Sequence, residues 1–258
     1  MVGQAELMVS TVAVLSDIHG VLPALDAVLA EPDVAAADVV VLCGDLAAGP
    51  LPRQTLDRLT ALGDRAVWVR GNADRELVTL ASGGDTAIPD PIAPWAARQL
   101  RPDQVAVLAT LPLSVTLDVS GLGEVLFCHA TPRDDEEVAL VDSPPARWAE
   151  VLAGTTAETV VCGHTHMPFV RLADRRRIVN PGSVGMPYGT TGAHWALLGP
   201  GVQLRRTAFD PELACQYLTK TSGYPEIGVW AEEFVRNPVS DLEALRVFSP
   251  RARGTNAT

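Results

Sequence analysis

The chain has 258 residues, of which 47% are hydrophobic, and a formal net charge of −11. This length and composition suit one large globular domain or a domain with an appendage. The negative charge argues against non-specific binding to nucleic acid or to anionic membranes, since both attract basic proteins. No apolar run approaches the ~18 residues that a membrane span needs, and the first residues lack a basic region followed by an apolar core. We therefore expect a cytoplasmic protein without membrane association.

The first half of the chain alternates apolar strands with amphipathic helices. Buried strands are predicted at 12–16, 38–43 and 66–69, with helices at 22–30 and 52–62 between them. Helical connections between short apolar strands indicate a parallel sheet. The carboxyl ends of such strands meet at one edge of the sheet, where α/β proteins place their sites.

The second half of the chain is rich in β-structure. From Leu113 the hydrophobic period approaches two, which predicts strands at 114–119, 124–129, 158–162, 168–172, 177–180, 194–198 and 202–208. We expect a main domain over 8–209, in which 76–111 forms a helical lid, then a helical appendage over 210–248 and a disordered tail over 249–258. Large apolar residues of the appendage recur at helical spacing and should pack on the core: Leu213, Leu218, Trp230, Phe234, Leu242, Leu245 and Phe248.

Residues with metal-ligand chemistry follow the ends of predicted strands. They are Asp17, His19, Asp45, Asn72, Asp74, His129, His164 and His166. One histidine at a strand end is usually a packed core residue, but four of the five histidines in the chain lie at such positions, in glycine-flanked turns. Imidazole nitrogen together with carboxylate or amide oxygen suits Mn²⁺, Fe²⁺ and Zn²⁺. The set is too large for one ion, so we expect two ions ~3.5–4 Å apart that clamp the oxygens of a phosphoryl displacement.

These motifs resemble the calcineurin-like metallophosphoesterase superfamily over residues 12 to 208: Asp17-x-His19, Gly44-Asp45, Gly71-Asn72-x-Asp74, His129 and Gly163-His164-x-His166. Asn180-Pro-Gly-Ser183 is similar to the bacterial branch of diadenosine tetraphosphatase-like enzymes and small phosphodiesterases. The resemblance implies an α/β fold, a four-layer αββα sandwich of two mixed sheets flanked by helices. The site is expected at one rim of that sandwich.

The resemblance also implies roles for individual residues. It gives the first ion to Asp17, His19 and His166, the second ion to Asn72, His129 and His164, and both ions to Asp45. Mn²⁺ is the expected ion, with Fe, Zn, Ni or Co as alternatives. Asn72 and Asp74 are the catalytic candidates, although Asp74 is equally suited to supporting its loop. Arg70 and Arg133 are candidates for binding substrate phosphate, and a solvated surface cation is the alternative role of Arg70.

Ala73 departs from the family pattern, because many relatives have a histidine there that acts as general acid. The departure argues against a protein phosphatase. We expect a dinuclear, metal-dependent phosphodiesterase that acts on a small diester or nucleotide through a hydroxide bridging the ions. The alternatives are a phosphomonoesterase, including a Ser/Thr protein phosphatase, and a catalytically silent scaffold of the same fold, which the intact ligand set opposes. The sequence indicates no oligomeric state.

Overall fold

The computed structural model describes residues 8–86 and 90–252. Its strands are β1 (Val12–Leu15), β2 (Val39–Cys43), β3 (Ala66–Val69), β4 (Ser114–Val119), β5 (Gly123–Cys128), β6 (Thr159–Cys162), β7 (Phe169–Ala173), β8 (Arg176–Asn180), β9 (Ala193–Leu198) and β10 (Val202–Thr207). Its α-helices are α1 (Leu22–Leu29), α2 (Pro32–Ala36), α3 (Pro52–Thr60), α4 (Asn72–Ala81), α5 (Ile92–Gln99), α6 (Pro102–Ala109), α7 (Pro145–Val151), α8 (Pro211–Thr221), α9 (Ile227–Ala231) and α10 (Asp241–Ala252). A 3₁₀ turn covers Gly63–Arg65, and a π-helical turn covers Glu232–Arg236.

The strands form two mixed five-stranded sheets. The first has the order β10-β9-β1-β2-β3, in which β1, β2 and β3 are parallel and β9 and β10 are antiparallel to their neighbours. The second has the order β4-β5-β6-β8-β7, in which β5, β6 and β8 are parallel and the two edge strands are antiparallel. Parallel strands at the centre of each sheet bring several strand ends to one rim.

The alternation of side chains along β1 shows how the layers are built. Val12 and Val14 belong to the core between the two sheets, whereas Ala13 and Leu15 belong to the core under the helices of the first sheet. On the far side, Trp148 of α7 packs against Phe169 with ring centroids 6.3 Å apart. The predicted αββα sandwich of two mixed sheets flanked by helices is therefore confirmed.

Several short helices were not predicted from the sequence. Helices α2 and α7 have five and seven residues, too few for a helical period to be recognised. Helix α4 begins at Asn72, inside one of the polar motifs, so its apolar face starts only after the motif has ended. Helices α5 and α6 lie within 76–111 and pack on α4. The lid function of that segment stays a prediction.

The predicted start of the disordered tail at 249 needs correction. Helix α10 continues through Ala252, and Phe248 and Ala252 join a small core with Val138, Leu140 and Met167. This packing holds the helix past Pro250, which by itself favours an earlier end. The rest of the predicted tail, 253–258, lies outside the described residues. Across the ranges that are described, no helix combines the length and apolar character that crossing a bilayer requires.

Helices α8 and α9 share the core that the first sheet forms with its helices. Leu218 and Trp230 are buried there, as expected from their spacing. Leu213 and Leu242, however, are 62% and 66% exposed, so their predicted packing on the core is wrong. Both residues lie on the outward face of their helices, since Ala214 and Ala244, close to them in sequence, are buried.

Leu218 and Leu213 lie on one helix and offer a matched test of this packing. Leu218→Ala is expected to lower the free energy of unfolding by about 2–5 kcal/mol, because the side chain is fully buried and leaves a cavity. Leu213→Ala should change it by less than about 0.5 kcal/mol, because the side chain is exposed. Urea denaturation of both variants measures the difference. Equal melting curves for the two variants would show that α8 is not docked on the sheet.

Candidate metal centre

The predicted ligand residues have an uncommon backbone conformation. Positive φ angles occur at Asp17 (56°), His19 (48°), Asp45 (54°), His164 (64°) and His166 (57°). Residues other than glycine seldom adopt this region, which costs of order 1–3 kcal/mol each unless the surroundings enforce it. The strained turns directly follow β1, β2 and β6. Such strain concentrates at functional sites, and here it turns the side chains that follow three strands toward one another.

Two glycines allow these turns to approach closely. A Cβ atom on Gly71 would lie 2.2 Å from Oδ1 of Asp45, and one on Gly163 would lie 2.0 Å from Oγ of Ser16. Both distances are shorter than a van der Waals contact, so neither position accepts a side chain. The glycines beside the motifs are thus required by proximity between loops.

Four histidines have one ring nitrogen fixed by a backbone carbonyl. The pairs are His19 Nδ1 with Ala48 O (3.2 Å), His129 Nδ1 with Cys43 O (2.8 Å), His164 Nε2 with Glu136 O (3.1 Å) and His166 Nδ1 with Met186 O (2.7 Å). A carbonyl oxygen only accepts, so in each pair the ring nitrogen must donate. The second nitrogen of each neutral ring then presents a lone pair to the interior of the site. Metal-binding histidines are typically oriented by contacts of this kind.

The ligand atoms form two groups, each of which could hold one ion. Oxygen and nitrogen atoms within 4.8 Å of one another come from Asp17, His19 and His166 in one group and from Asp45, His129 and His164 in the other. Nε2 of His19 and Nε2 of His166 lie only 3.2 Å apart. Oδ1 of Asp17 is buried and makes no hydrogen bond with any described residue, although Nε2 of His166 lies 3.2 Å away.

The surroundings of Asn72 also support a metal site. Its amide oxygen faces Nε2 of His129 at 3.3 Å, Nδ1 of His164 at 3.1 Å and the backbone oxygen of Asp135 at 3.3 Å. These groups are acceptors, so the oxygen repels them unless a cation lies between, or unless the amide is turned by 180° to donate. Because all the donor types suit a divalent metal ion, the residues present fit the group that the motifs imply.

The charges of the site are strongly coupled. Burial tends to raise the pKa of Asp45, but the neighbouring His129 holds it below its usual range. Burial alone would lower the pKa of His129, yet Asp45 raises it to about 10. For His164, burial and then the charge of His129 lower the pKa to about 3. A divalent ion would replace the proton that neutralises the carboxylates, so its binding should release protons.

Asp74 stabilises the loops around Asp45. The side chain is fully buried, and its carboxylate accepts N–H bonds from Asp45 (2.9 Å), Leu46 (2.9 Å) and Gly71 (3.0 Å). Burial and then the charge of Asp45 raise the pKa of Asp74 to about 7. The N–H of Ala73 donates to Oδ1 of Asp45 at 2.8 Å, so the amino end of α4 also faces that carboxylate. Of the two predicted roles of Asp74, loop support is the one that these contacts favour.

Comparison with known proteins decides the family. The protein-family model described as "Calcineurin-like phosphoesterase superfamily domain" matches residues 11–199 of this chain. The chain belongs to this superfamily. An uncharacterized protein of Methanocaldococcus jannaschii is 26% identical in an alignment of length 243 that covers 82% of this chain and 93% of that protein.

Solved structures share the fold of this superfamily member. A metallophosphoesterase from Sphaerobacter thermophilus has 22% identity and a TM-score of 0.67, and the match covers 86% of this chain and 98% of that one. A hypothetical protein from Pyrococcus horikoshii has 18% identity and a TM-score of 0.73, and the match covers 89% of this chain and 99% of that one. At these identities the likeness establishes the fold alone.

The stretch Asn180-Pro-Gly-Ser183 links the loops of the site. Nδ2 of Asn180 donates to the backbone oxygen of Gly163 at 2.8 Å, next to His164. Oγ of Ser183 donates to the backbone oxygen of Asp17 at 2.7 Å. The motif therefore fixes one ligand loop from each sheet.

The two predicted substrate-binding arginines have different surroundings. Nε of Arg70 donates to Asp135 at 2.9 Å, and the backbone oxygen of Asp135 faces Asn72, so Arg70 lies close to the second ligand group. Arg133 pairs with Glu137 (2.6 Å) and Glu150 (2.9 Å). Among the described residues no hydrogen bond or ion pair joins Arg133 to the ligands, so its contacts do not support the predicted role.

Three residues beside the ligands were missed by the sequence analysis. Tyr188 stacks on His166 with ring centroids 5.5 Å apart, and Phe248 meets His164 edge to face at 6.3 Å. A guanidinium nitrogen of Arg251 lies 3.4 Å from Nε2 of His164. Tyr188 belongs to the stretch after Ser183, but no local signal connects α10, at the far end of the chain, with the rim of the sandwich.

We expect Asp74→Asn to lower the free energy of unfolding by about 1–3 kcal/mol. Three buried N–H groups donate to the two oxygens of the carboxylate, whereas the amide has only one oxygen that can accept. Binding of Mn²⁺ should weaken at the same time, since the loop that carries Asp45 loses its support. Denaturation and calorimetric titration measure the two effects. Asp64→Asn, on the exposed 3₁₀ turn, is the control and should change neither. Unchanged stability and metal affinity in Asp74→Asn would contradict loop support.

Proposed function

We propose that the chain is a dinuclear, metal-dependent phosphodiesterase that acts on a small diester or nucleotide. The observation that carries this proposal is the convergence of two ligand groups, Asp17, His19 and His166 beside Asp45, His129 and His164, at one rim of the sandwich. Mn²⁺ is the ion that we propose, and the mixture of nitrogen and oxygen donors also suits Fe, Zn, Ni or Co. Two bound ions would supply Lewis acidity and lower the pKa of water near to neutrality.

Asp45 is proposed as the ligand common to both ions. Its Oδ2 lies 3.6 Å from Nε2 of His19, in the first group, and 3.3 Å from Nε2 of His129, in the second. Its Oδ1 accepts the N–H of Ala73, which fixes the orientation of the carboxylate. Asn72, whose amide oxygen faces the second group, is proposed as a further ligand of that ion and as a contact for the reacting phosphate.

Arg70 is proposed to bind substrate phosphate, because its side chain is one-third exposed and is held beside Asn72 through Asp135. Arg251 is a second candidate for this role, because a nitrogen of its guanidinium lies 3.4 Å from Nε2 of His164. An anionic phosphate near the ligand groups could accept hydrogen bonds from both guanidinium groups.

A cytoplasmic location is also proposed. All four cysteines are free and buried, at positions 43, 128, 162 and 215. Disulfides form and persist mainly in oxidising compartments, and this chain does not use its cysteines for them.

Asp45→Asn should weaken the binding of both ions and reduce metal-dependent hydrolysis by at least ~10²-fold, because the substitution removes the charge that the two groups share. Calorimetric titration with Mn²⁺ gives the number of ions and their affinities, and an aryl diester assay gives the activity. Asp64→Asn is again the control. Two ions bound at wild-type affinity, together with wild-type activity, would refute the shared carboxylate.

Ala73→His tests the preference for diesters. Ala73 lies at the start of α4 beside Asp45 and offers no proton to a leaving group, whereas a positioned general acid typically contributes ~10²–10⁴-fold. An alkoxide depends on that proton more than an aryl oxide does. The substitution should therefore raise turnover of an alkyl monoester relative to that of an aryl diester by at least about tenfold.

The measurement is kcat/KM for an aryl diester and for the matching aryl and alkyl monoesters. It is made on wild type, Ala73→His and Ala73→Asn. Ala73→Asn is the matched variant, because asparagine has polar atoms at a similar reach but no titratable proton. A wild-type enzyme that prefers the monoesters would contradict the proposed substrate class.

A further inference from the structure

A cavity of about 430 Å³ lies beside the candidate metal centre. His19, a member of the first ligand group, forms part of its wall, together with Ile92, Met186, Tyr224, Trp230 and Phe234. Cavities of about 300–1,000 Å³ are typical of small-molecule sites. Because His19 belongs to both, the cavity is within reach of an ester arm of a substrate whose phosphate lies at the ligand groups.

Three aromatic residues, Tyr224, Trp230 and Phe234, contribute to the wall of the cavity. Trp230 and Phe234 contact each other with ring centroids 5.1 Å apart, and Tyr224 packs against Trp95 at 5.5 Å. The rings are held by the core, in which Tyr224 and Trp230 are buried and Phe234 is partly buried. Rigid aromatic walls favour planar apolar groups, which stack on them or meet them edge to face.

The charged residues at the cavity disfavour anionic groups, such as a second phosphate. Asp90, Glu226 and Glu233 contribute to its wall, and no lysine or arginine is found among its described lining residues. A second phosphate in this cavity would face three carboxylates without a compensating cation. The cavity therefore suits an arm that is uncharged or positively charged.

The cavity also depends on a part of the chain outside the family match. The superfamily model ends at residue 199, whereas Tyr224, Glu226, Trp230, Glu233 and Phe234 belong to the C-terminal segment. The residues that could hold metal come from the matched region. Selection of the ester arm is thus separated in sequence from the chemistry.

We propose that this cavity binds the uncharged aromatic arm, an aryl group or a nucleobase, of a phosphodiester whose phosphate lies at the metal centre. This inference rests on the proposed function and narrows its substrate class to diesters with a single phosphate. Polyphosphate nucleotides and arms with a second phosphate are disfavoured by the three carboxylates.

The test uses two esters that share a leaving group, thymidine 5′-(4-nitrophenyl phosphate) and the same compound with an added 3′-phosphate, in the presence of Mn²⁺. Wild type is expected to prefer the ester without the 3′-phosphate. Phe234→Ala should lower kcat/KM for that ester about tenfold, mainly through KM, because an aromatic contact is lost. Tyr217→Ala removes an exposed aromatic side chain from α8 and is the matched control, with no change expected.

A charge reversal tests whether the carboxylates of the cavity disfavour an arm with a second phosphate. Replacing Glu226 and Glu233 together by lysine should reduce the preference against the 3′-phosphorylated ester about tenfold, because two repulsive charges become attractive. Asp64→Lys together with Glu158→Lys, at two exposed sites that do not line the cavity, makes the same change in net charge and is the control. Melting temperature and Mn²⁺ affinity of every variant are measured to show that the fold and the ligand groups are intact.

The outcomes separate the two proposals. The inference is overturned, and the proposed function still stands, if Phe234→Ala and Tyr217→Ala change kcat/KM equally. The same holds if wild type hydrolyses the esters but prefers the 3′-phosphorylated one. A wild-type chain that binds Mn²⁺ but hydrolyses neither ester overturns the proposed function, and the inference with it. If Phe234→Ala proves unstable, Phe234→Leu is used instead; it keeps an apolar side chain without the ring and should show a rise in KM of the same direction.

Discussion

Four imidazole rings surround two buried carboxylates, and each ring has one nitrogen tied to a backbone carbonyl, so that its other nitrogen points into the site. Without a cation the arrangement is costly: Oδ1 of Asp17 is buried without a hydrogen bond, and the oxygen of Asn72 faces acceptors. Five of the residues involved also have positive φ angles. A structure that keeps unsatisfied lone pairs and strained turns together must compensate for them elsewhere, and the surrounding hydrogen bonds of Asp74, Asn180 and Ser183 are that compensation.

The two sheets make the arrangement possible because each supplies part of it. Asp17 and Asp45 follow β1 and β2 of the first sheet, while His129 and His164 follow β5 and β6 of the second. The distance between the two sets depends on the apolar core between the sheets, to which all four strands contribute. Since protein interiors are close-packed, a change of side-chain volume in that core would move one half of the site against the other.

The sequence predicted the sheets and the ligand residues because both depend on local patterns. Apolar runs mark β1, β2 and β6, and the polar motifs directly follow them, so the convergence of Asp17 and Asp45 follows from the parallel strands of the first sheet. The approach of His164 from the second sheet depends on how the two sheets pack, which the family resemblance implied. The start of α4 inside a motif, the pairing of Arg133 with Glu150 and the approach of Phe248 to His164 were not predicted. The last two depend on contacts between segments distant in sequence, which periodicity and spacing do not encode. The continuation of α10 past Pro250 has the same cause, since packing against Val138 and Met167 outweighs the local signal.

Electrostatics connects the composition of the chain with the kind of phosphate that it could bind. The chain carries −11 overall, so an approaching anion is repelled at long range, and the repulsion grows with the charge of the anion. At short range two divalent ions would bring four positive charges to the two negative charges of Asp17 and Asp45, which leaves an excess of positive charge at the rim. A diester with one negative charge meets the weakest long-range repulsion and still gains this local attraction. The carboxylates of Asp90, Glu226 and Glu233 line the cavity beside His19, so a second phosphate in that cavity would be opposed by local and by overall charge.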